Sequence, residues 1–235
     1  MKLIIEQEIF EKFSGLHLGV VMAKNISNKG FPEEISDKTK NLEGIIRQRH
    51  TSEILSQQPK IDAWRKAYSA FGAKPKEHKS SVENLFRLVL SGSGLRRINK
   101  LVDLYNFISL KHMLPVGGED LDKIEGDILL TFAAENEAPV LLLGDKEARP
   151  PKNGEAIYKD GVSAICRRWN WREAERTKLT EETKNCILVI EGLPPVSREE
   201  IDVATKELHG LVEKYCGGIV RSEVLDEASP FSSIG

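Results

Sequence analysis

The segment from Gly94 to Asp120 constrains the fold of this chain more than any other part of its sequence. Its apolar residues recur at the spacing of one buried helical stripe up to a Pro-Val-Gly-Gly corner. Asn99, Asp103 and Asn106 interrupt the stripe. Polar side chains on a half-buried helix need hydrogen-bonding partners. The segment therefore predicts a buried helix whose polar residues either clip the local backbone or contribute to the wall of a pocket.

Start and stop signals predict further helices on both sides of this segment. One helix opens after Pro59 and closes at Gly72, and Ser80 with Glu83 forms a capping box for another. The clearest helix is capped by Ser197 with Glu200 and is ended by Gly217-Gly218. Short apolar runs between turn signals predict strands at 16–22, 128–132, 140–143, 157–158, 162–166 and 186–190.

The order of these elements indicates the fold class. Strands, a run of helices, more strands and a closing helix are typical of an α+β protein with mixed sheets packed against helices. Hydrophobic residues make up 40% of the 235 residues, which is enough to bury a core. No linker divides the chain, so we expect residues 1–235 to form a single domain, with a frayed tail from about Ala228.

Charge and cysteine usage narrow the classes of partner and site. The formal net charge is -2, so a nucleic-acid partner would have to use a local basic patch. Cys166, Cys186 and Cys216 are isolated, so we expect no disulfide, metal site or cofactor, and a reducing cytosol as the compartment. Glu6 and Glu8 interrupt the apolar N-terminus, and no apolar run is long enough to cross a membrane.

A stretch rich in tryptophan and arginine follows the apolar run at 162–166. It contains Arg168, Trp169, Asn170, Trp171 and Arg172. Indole faces and guanidinium groups together bind nucleobases, carboxylates or phosphates. If this stretch continued as a strand, both tryptophans would face one side and the polar residues the other. The alternative is that both tryptophans belong to the core while the arginines form surface ion pairs.

The residue order from Gly94 resembles the editing domain of the beta subunit of bacterial phenylalanyl-tRNA synthetase. The pattern there is Gly-x-Arg-Pro-Ile-Asn-x-Val-Val-Asp-x-Thr-Asn-Tyr-Val, followed by Pro-x-His-x-x-Asp. The positions that agree without any gap are Gly94, Arg96, Ile98, Asn99, Val102, Asp103, Asn106, Pro115 and Asp120. The resemblance implies the editing-domain fold, with Asn106 lining a pocket, although a helix-to-loop hydrogen bond is an equally good role for it. Asn99, Asp103 and Asp120 are expected to have structural roles.

A second region fits the family less tightly. Thr183 matches a family threonine. When the two sequences are aligned at this threonine, Trp169 and Trp171 fall at the positions of a glycine-rich pocket loop of the family. Bulky side chains there imply a remodelled pocket or a different ligand. Gly117 stands where the family has His, Tyr105 where it has Thr, and the family's hydroxyl-reading Glu falls near Val189, with Glu191 close by.

The resemblance implies two sets of binding residues. We expect Asn106, Arg168 and Asn170 to make polar contacts and Arg172 to bind a carboxylate, phosphate or ribose. The complete substrate-binding set is Asn106, Gly117, Arg168, Trp169, Asn170, Trp171, Arg172 and Thr183. Contacts to an RNA backbone are expected from Arg96, Arg97 and Lys100.

The resemblance also implies a function. The expected activity is hydrolysis, in trans, of a misacylated aminoacyl-tRNA, with the aminoacylated 3′ end of tRNA as partner and an amino acid as a further small ligand. No side chain is an evident general base, and the length excludes a complete synthetase. The alternative is a non-catalytic binder of an amino acid, a nucleotide or an RNA end. An unrelated enzyme on the same scaffold also stays open, because fold does not fix function.

Overall fold

Two β-sheets pack against each other in the computed structural model, which describes residues 1–234. The larger sheet has the strand order β10-β1-β4-β5-β6-β7, and its strands are β1 (Lys2–Ile5), β4 (Ile128–Phe132), β5 (Ala156–Lys159), β6 (Ala164–Arg167), β7 (Arg172–Glu173) and β10 (Phe231–Ser233). The smaller sheet has the order β3-β8-β2-β9, and its strands are β2 (His17–Lys24), β3 (Val116–Asp120), β8 (Cys186–Gly192) and β9 (Ile219–Leu225).

Six helices complete the described part of the chain. They are α1 (Gln7–Lys12), α2 (Glu33–Arg49), α3 (Pro59–Ala70), α4 (Ser81–Leu90), α5 (Lys100–His112) and α6 (Arg198–Cys216). The predicted α+β class is confirmed. None of the helices within residues 1–234 is long and apolar enough to cross a membrane.

The smaller sheet presents different residues on its two faces because successive side chains of a strand alternate. One face of β8 packs with α5 and α6 into an apolar cluster that includes Leu188 and Ile190. The other face turns toward the larger sheet. There Gly117 of β3 lies opposite Val189 of β8, and Glu119 lies opposite Ile187. Glycine and acidic side chains on this second face leave room and polarity between the sheets.

The predicted helix starts are confirmed by their hydrogen bonds. Ser80 accepts from the Glu83 amide, and Ser197 forms a complete capping box with Glu200. Asn99 caps α5 by accepting from the Val102 amide at 3.1 Å. The expectation that the polar residues at the start of α5 are structural is therefore confirmed for Asn99.

Two local predictions are wrong. The run 140–143 forms only isolated bridges, because single residues of this run pair with Arg149 and Ala174 instead of a continuous neighbour. The tail is not frayed at Phe231–Ser233, because this segment pairs with β1 as β10. Gly235 lies outside the described residues.

Candidate functional site

A cavity of about 400 Å³ lies between the two sheets and the helices α4 and α5. Asn106 of α5, Gly117 of β3, and Asn170 and Trp171 of the tryptophan-rich stretch all line it. The carboxyl end of the α5 segment and the tryptophan-rich stretch therefore converge on one space. A cavity of this size is in the range that holds small organic ligands.

The tryptophan-rich stretch forms a tight turn, so strand β6 does not continue through the two tryptophans. Arg168 and Trp169 both have positive φ angles, of 47° and 67°, so the chain reverses between β6 and β7. The Arg168 amide donates to Glu155 at 3.0 Å, and the Trp169 amide donates to the Ala156 carbonyl at 2.6 Å. These contacts to β5 and the residue before it hold two bulky residues in a conformation that they adopt rarely.

The turn gives the two indoles different environments. Trp169 is fully buried, with ring centroids 4.8 Å from Phe13 and 5.1 Å from Trp64, and it also lines the cavity. Trp169 is therefore both a core residue and part of the cavity wall, as expected for the wall. Trp171 is half-buried, and the guanidinium groups of Arg168 and Arg172 lie 4.3 and 4.4 Å from its ring.

A hydrogen-bonded carboxyl group lies where the turn meets β8. The Tyr158 hydroxyl donates to Glu191 Oε1 at 2.6 Å, and Asn170 Nδ2 donates to Glu191 Oε2. The Tyr68 hydroxyl donates in turn to Asn170 Oδ1 at 2.9 Å. Burial raises the pKa of Glu191 to about 7, although the hydrogen bonds from Tyr158 and Asn170 and the nearby Trp169 indole oppose this rise. Glu191 can therefore exchange a proton near neutral pH.

Two further carboxyl groups lie against the same cavity. Glu119 is only 7% exposed, and Glu173 accepts from the Gly118 amide at 3.2 Å. Burial raises the pKa of both groups, and the neighbouring Glu173 raises that of Glu119 further. Within residues 1–234, no lysine or arginine forms an ion pair with either carboxyl group.

These acidic residues and Tyr158 are the site residues that sequence reasoning missed. Glu191 was noted only as a neighbour of Val189, and the observed register puts both on the cavity face of β8. Glu119 directly follows the Pro-Val-Gly-Gly corner, and Glu173 ends the tryptophan-rich stretch. An acidic residue at the end of an otherwise apolar strand was the available signal.

The remaining predicted substrate-binding residues separate into two groups. Asn106 and Arg172 line the cavity. The side-chain amide group of Asn106 makes no hydrogen bond within the described part of the chain, so the alternative of a helix-to-loop clip finds no support. Arg168 and Thr183 do not line it. Thr183 is a buried turn residue that donates to Asp120 at 2.7 Å, which makes its placement in the binding set a correction.

The three predicted RNA-contact residues also differ in availability. Arg96 and Arg97 are exposed and line a shallow depression next to Asn106, and Arg97 pairs with Glu33 at 2.9 Å. Lys100 donates to the carbonyls of Ser27 and Tyr215 at 2.8 and 2.9 Å. We correct Lys100 to a structural residue because its ammonium group already binds the chain's own backbone.

The two glycines of β3 are closely packed, and Gly117 leaves room for the Glu173 carboxyl group. A Cβ atom at Gly117 would lie 2.9 Å from Glu173 Oε1, so the histidine of the resembling family and the present position of Glu173 exclude each other. A Cβ atom at Gly118 would lie 2.4 Å from Leu188 Cδ2 and 2.9 Å from the Ile187 carbonyl oxygen.

Replacing Gly118 with alanine is expected to lower the free energy of unfolding by about 1–3 kcal/mol, because the added methyl group overpacks the sheet. Gly44 in the middle of α2 is the matched control, since nothing lies within 4 Å of its added Cβ. Gly44→Ala should stabilise the protein by about 0.5–1 kcal/mol through helix propensity. Urea unfolding of both variants checks this, and an equal effect of the two would contradict the packing argument.

Cys166 lines the cavity but is not an activated nucleophile. Burial raises the pKa of its thiol, and the carboxyl groups of Glu173, Glu119 and Glu191 raise it further. Its alkylation by iodoacetamide at pH 8 is expected to be at least about tenfold slower than that of free cysteine. Mass spectrometry of the folded protein measures this rate, with the urea-unfolded protein as control. Rapid modification of Cys166 in the folded state would show an accessible thiolate instead.

Comparison with known proteins gives consistent matches. The profile of the B3/4 domain family matches residues 63–217. The phenylalanine–tRNA ligase beta subunit of Fusobacterium nucleatum is 31% identical over 157 residues, covering 57% of this chain and 19% of that subunit. The Bordetella pertussis subunit is 33% identical over 99 residues, covering 42% and 12%. The matches thus span less than a fifth of these relatives.

A solved structure was also found to be similar. It is an N-terminal fragment of the phenylalanyl-tRNA synthetase beta-subunit from Pyrococcus horikoshii, with a TM-score of 0.46 and 12% sequence identity. The match covers 93% of this chain and 50% of that one.

Proposed function

The chain belongs to the B3/4 domain family, and from this membership we propose that it hydrolyses the ester bond of misacylated tRNA supplied in trans. The membership confirms the resemblance seen in the segment that begins at Gly94. The relatives' names associate them with the charging of tRNA, which supports an aminoacylated tRNA end as the ligand of the cavity. The three buried, free cysteines fit a reducing compartment such as the cytosol.

The observation that carries this proposal is the Glu191 carboxyl group in the cavity wall. Tyr158 and Asn170 each donate to one of its oxygens and fix its orientation. Its pKa of about 7 lies close to the operating pH, where a general base is most effective. Tyr68 orients Asn170 in turn, so the base is supported by a second layer of hydrogen bonds.

The proposed reaction is a water attack on the aminoacyl ester. The ionised Glu191 accepts a proton from water while the oxygen of that water attacks the ester carbonyl carbon. The bond between this carbon and the ribose oxygen then breaks, and Glu191 returns the proton to the ribose oxygen. The products are a free amino acid and deacylated tRNA. Asn106 lines the cavity and its side-chain amide has no partner within residues 1–234, which supports a contact with the aminoacyl group.

The entry of the RNA end is proposed from the neighbouring depression. Arg96 and Arg97 line this depression, and Asn106 lines both it and the cavity. Arg96 is exposed and makes no ion pair in the described part of the chain, so its guanidinium group is available to a phosphate. Arg97 would exchange its exposed partner Glu33 for the RNA backbone.

A deacylation assay with a panel of mischarged tRNAs tests this proposal. We expect hydrolysis of at least one of them above the blank rate, and a loss of about 100-fold or more in Glu191→Gln, as for removal of a general base. Glu181→Gln is the matched control, because Glu181 is exposed and does not line the cavity. Blank rates with every tRNA, or an unchanged rate in Glu191→Gln, would refute the proposed mechanism.

The second candidate function is non-catalytic binding of an amino acid, a nucleotide or an RNA end. It is favoured by the absence of an activated nucleophile among the described residues, since Cys166 has a raised pKa, and by both Glu191 oxygens having donors already. Thermal stabilisation by a free amino acid, without deacylation of any tRNA in the panel, would select this alternative. Trp171→Ala should weaken that stabilisation if the ligand occupies the cavity.

A further inference from the structure

One end of the cavity carries a buried acidic pair without a cationic partner. Glu119 is only 7% exposed, and its Oε2 atom has no hydrogen-bonding partner within residues 1–234. The Thr177 hydroxyl, which also lacks a partner there, lies near enough to oppose the rise in the pKa of Glu119. Glu173 accepts one hydrogen bond, from the Gly118 amide. A buried carboxyl oxygen without a donor costs free energy, so it indicates a group that the bound state supplies.

The nearby guanidinium groups are already engaged elsewhere. Arg172 pairs with Asp145 at 2.6 Å, and Arg176 pairs with Asp160 at 2.7 Å. The acidic pair therefore faces the cavity without an ion-pair partner among the described residues. A cationic ligand group would stabilise the ionised carboxylates and supply the missing donors.

The geometry points to a ligand with a side-chain ammonium group, and we propose that the cavity selects a lysine-like aminoacyl group whose ammonium binds Glu119 and Glu173. This inference rests on the proposed function, in which the same aminoacyl group presents its ester to Glu191. An ammonium group offers three donors, which is what two carboxyl groups with vacant oxygens can accept. A divalent metal is a poorer match, because no group of three metal-ligating side chains exists in the described part of the chain.

The spacing along β8 supports a long side chain. Glu119 lies opposite Ile187, and Glu191 is four residues further along the same strand. At about 3.3 Å per residue, the two acidic sites are separated by roughly 13 Å along the sheet. Glu173 lies over Gly117, which is opposite Val189 and therefore between them. An extended aliphatic side chain whose ester lies at Glu191 can therefore pass along Val189 and direct its terminal ammonium group toward Glu173 and Glu119.

Calorimetric titration of the full chain at pH 8 tests this proposal without requiring catalysis. Lysinamide and norleucinamide are the probes, because they share the α-ammonium and the aliphatic chain and differ in the terminal ammonium. We expect lysinamide to bind at least about tenfold more tightly, which corresponds to one good charged hydrogen-bonded contact. Equal binding of the two amides, or tighter binding of norleucinamide, would overturn the proposal.

Variants locate the selectivity within the cavity. Glu119→Gln should reduce the preference for lysinamide over norleucinamide to less than about threefold. Glu173→Gln is the second variant in case the first fails to fold, and Glu181→Gln should keep the wild-type preference. A full preference in a folded Glu119→Gln and a folded Glu173→Gln would place the ammonium elsewhere and overturn the assignment.

The outcomes for this inference and for the proposed function can be told apart. Selective binding of lysinamide without deacylation of any tRNA would support the ammonium site and refute the proposed hydrolysis. Deacylation of tRNAs that carry apolar amino acids, with no preference for lysinamide, would support the proposed hydrolysis and refute the ammonium site.

Discussion

Replacing Trp169 with alanine is expected to lower the free energy of unfolding by about 3–5 kcal/mol, the range for removing a large aromatic side chain from a core. The indole is fully buried and packs edge-on against Trp64 and Phe13. Its removal would leave a void between the larger sheet, the helix α3, which carries Trp64, and the end of α1, which Phe13 follows directly. Urea unfolding followed by circular dichroism measures the effect.

Trp171→Ala is the matched control two residues away. Trp171 is half-buried and stacks with the guanidinium groups of Arg168 and Arg172, contacts that contribute about 0.5–1 kcal/mol each at such sites. We therefore expect a loss of about 1–2 kcal/mol, well below that of Trp169→Ala. Equal losses in the two variants would mean that the two tryptophans are buried to the same extent, as they would be on one face of a continuous strand.

The free energy of unfolding is expected to fall as the pH rises from about 4.5 to about 7, with Glu191 contributing roughly 3 kcal/mol to this fall. The pKa of Glu191 is raised from an unfolded value of 4.5 to about 7 by burial. Between these values the unfolded chain has released the proton while the folded chain still binds it. Deprotonation therefore favours unfolding across this window, and the effect saturates above it.

Comparison with Glu191→Gln isolates this contribution from the other titrating groups. The difference in unfolding free energy between variant and wild type should shift in favour of the variant by about 3 kcal/mol between pH 4 and pH 8. The glutamine loses part of the hydrogen bonding to Tyr158 and Asn170 at every pH. This loss changes the free-energy difference by the same amount at every pH and does not alter its dependence on pH. A difference that does not change with pH would mean that folding leaves the pKa of Glu191 at its unfolded value.

The parts of the fold that could be predicted from sequence are those fixed by local interactions. Ser80 with Glu83 and Ser197 with Glu200 are three residues apart, so their caps depend on nothing distant. The positive φ of Arg168 could not be predicted, because it depends on a hydrogen bond to Glu155, thirteen residues earlier. The alternation of the sequence alone therefore could not decide whether this stretch continues as a strand or turns.

The site shows the same division between local and long-range information. The resemblance correctly placed Asn106 in the cavity wall. Gly117 and Val189, the two positions where the sequence departs from the family's His and Glu, lie directly opposite each other in the sheet. The acidic character of the cavity was missed because Glu119, Glu173 and Glu191 belong to three strands from two sheets. Only the packing of the sheets brings them to one space.

The unequal burial of the three tryptophans gives the protein an intrinsic fluorescent reporter of its cavity. Trp64 and Trp169 are shielded from solvent, while Trp171 is half-buried in the cavity wall. A water-borne quencher such as acrylamide should therefore reach Trp171 first, and a molecule that fills the cavity would protect it. Occupancy could then be followed by light emission at a single residue without attaching a dye.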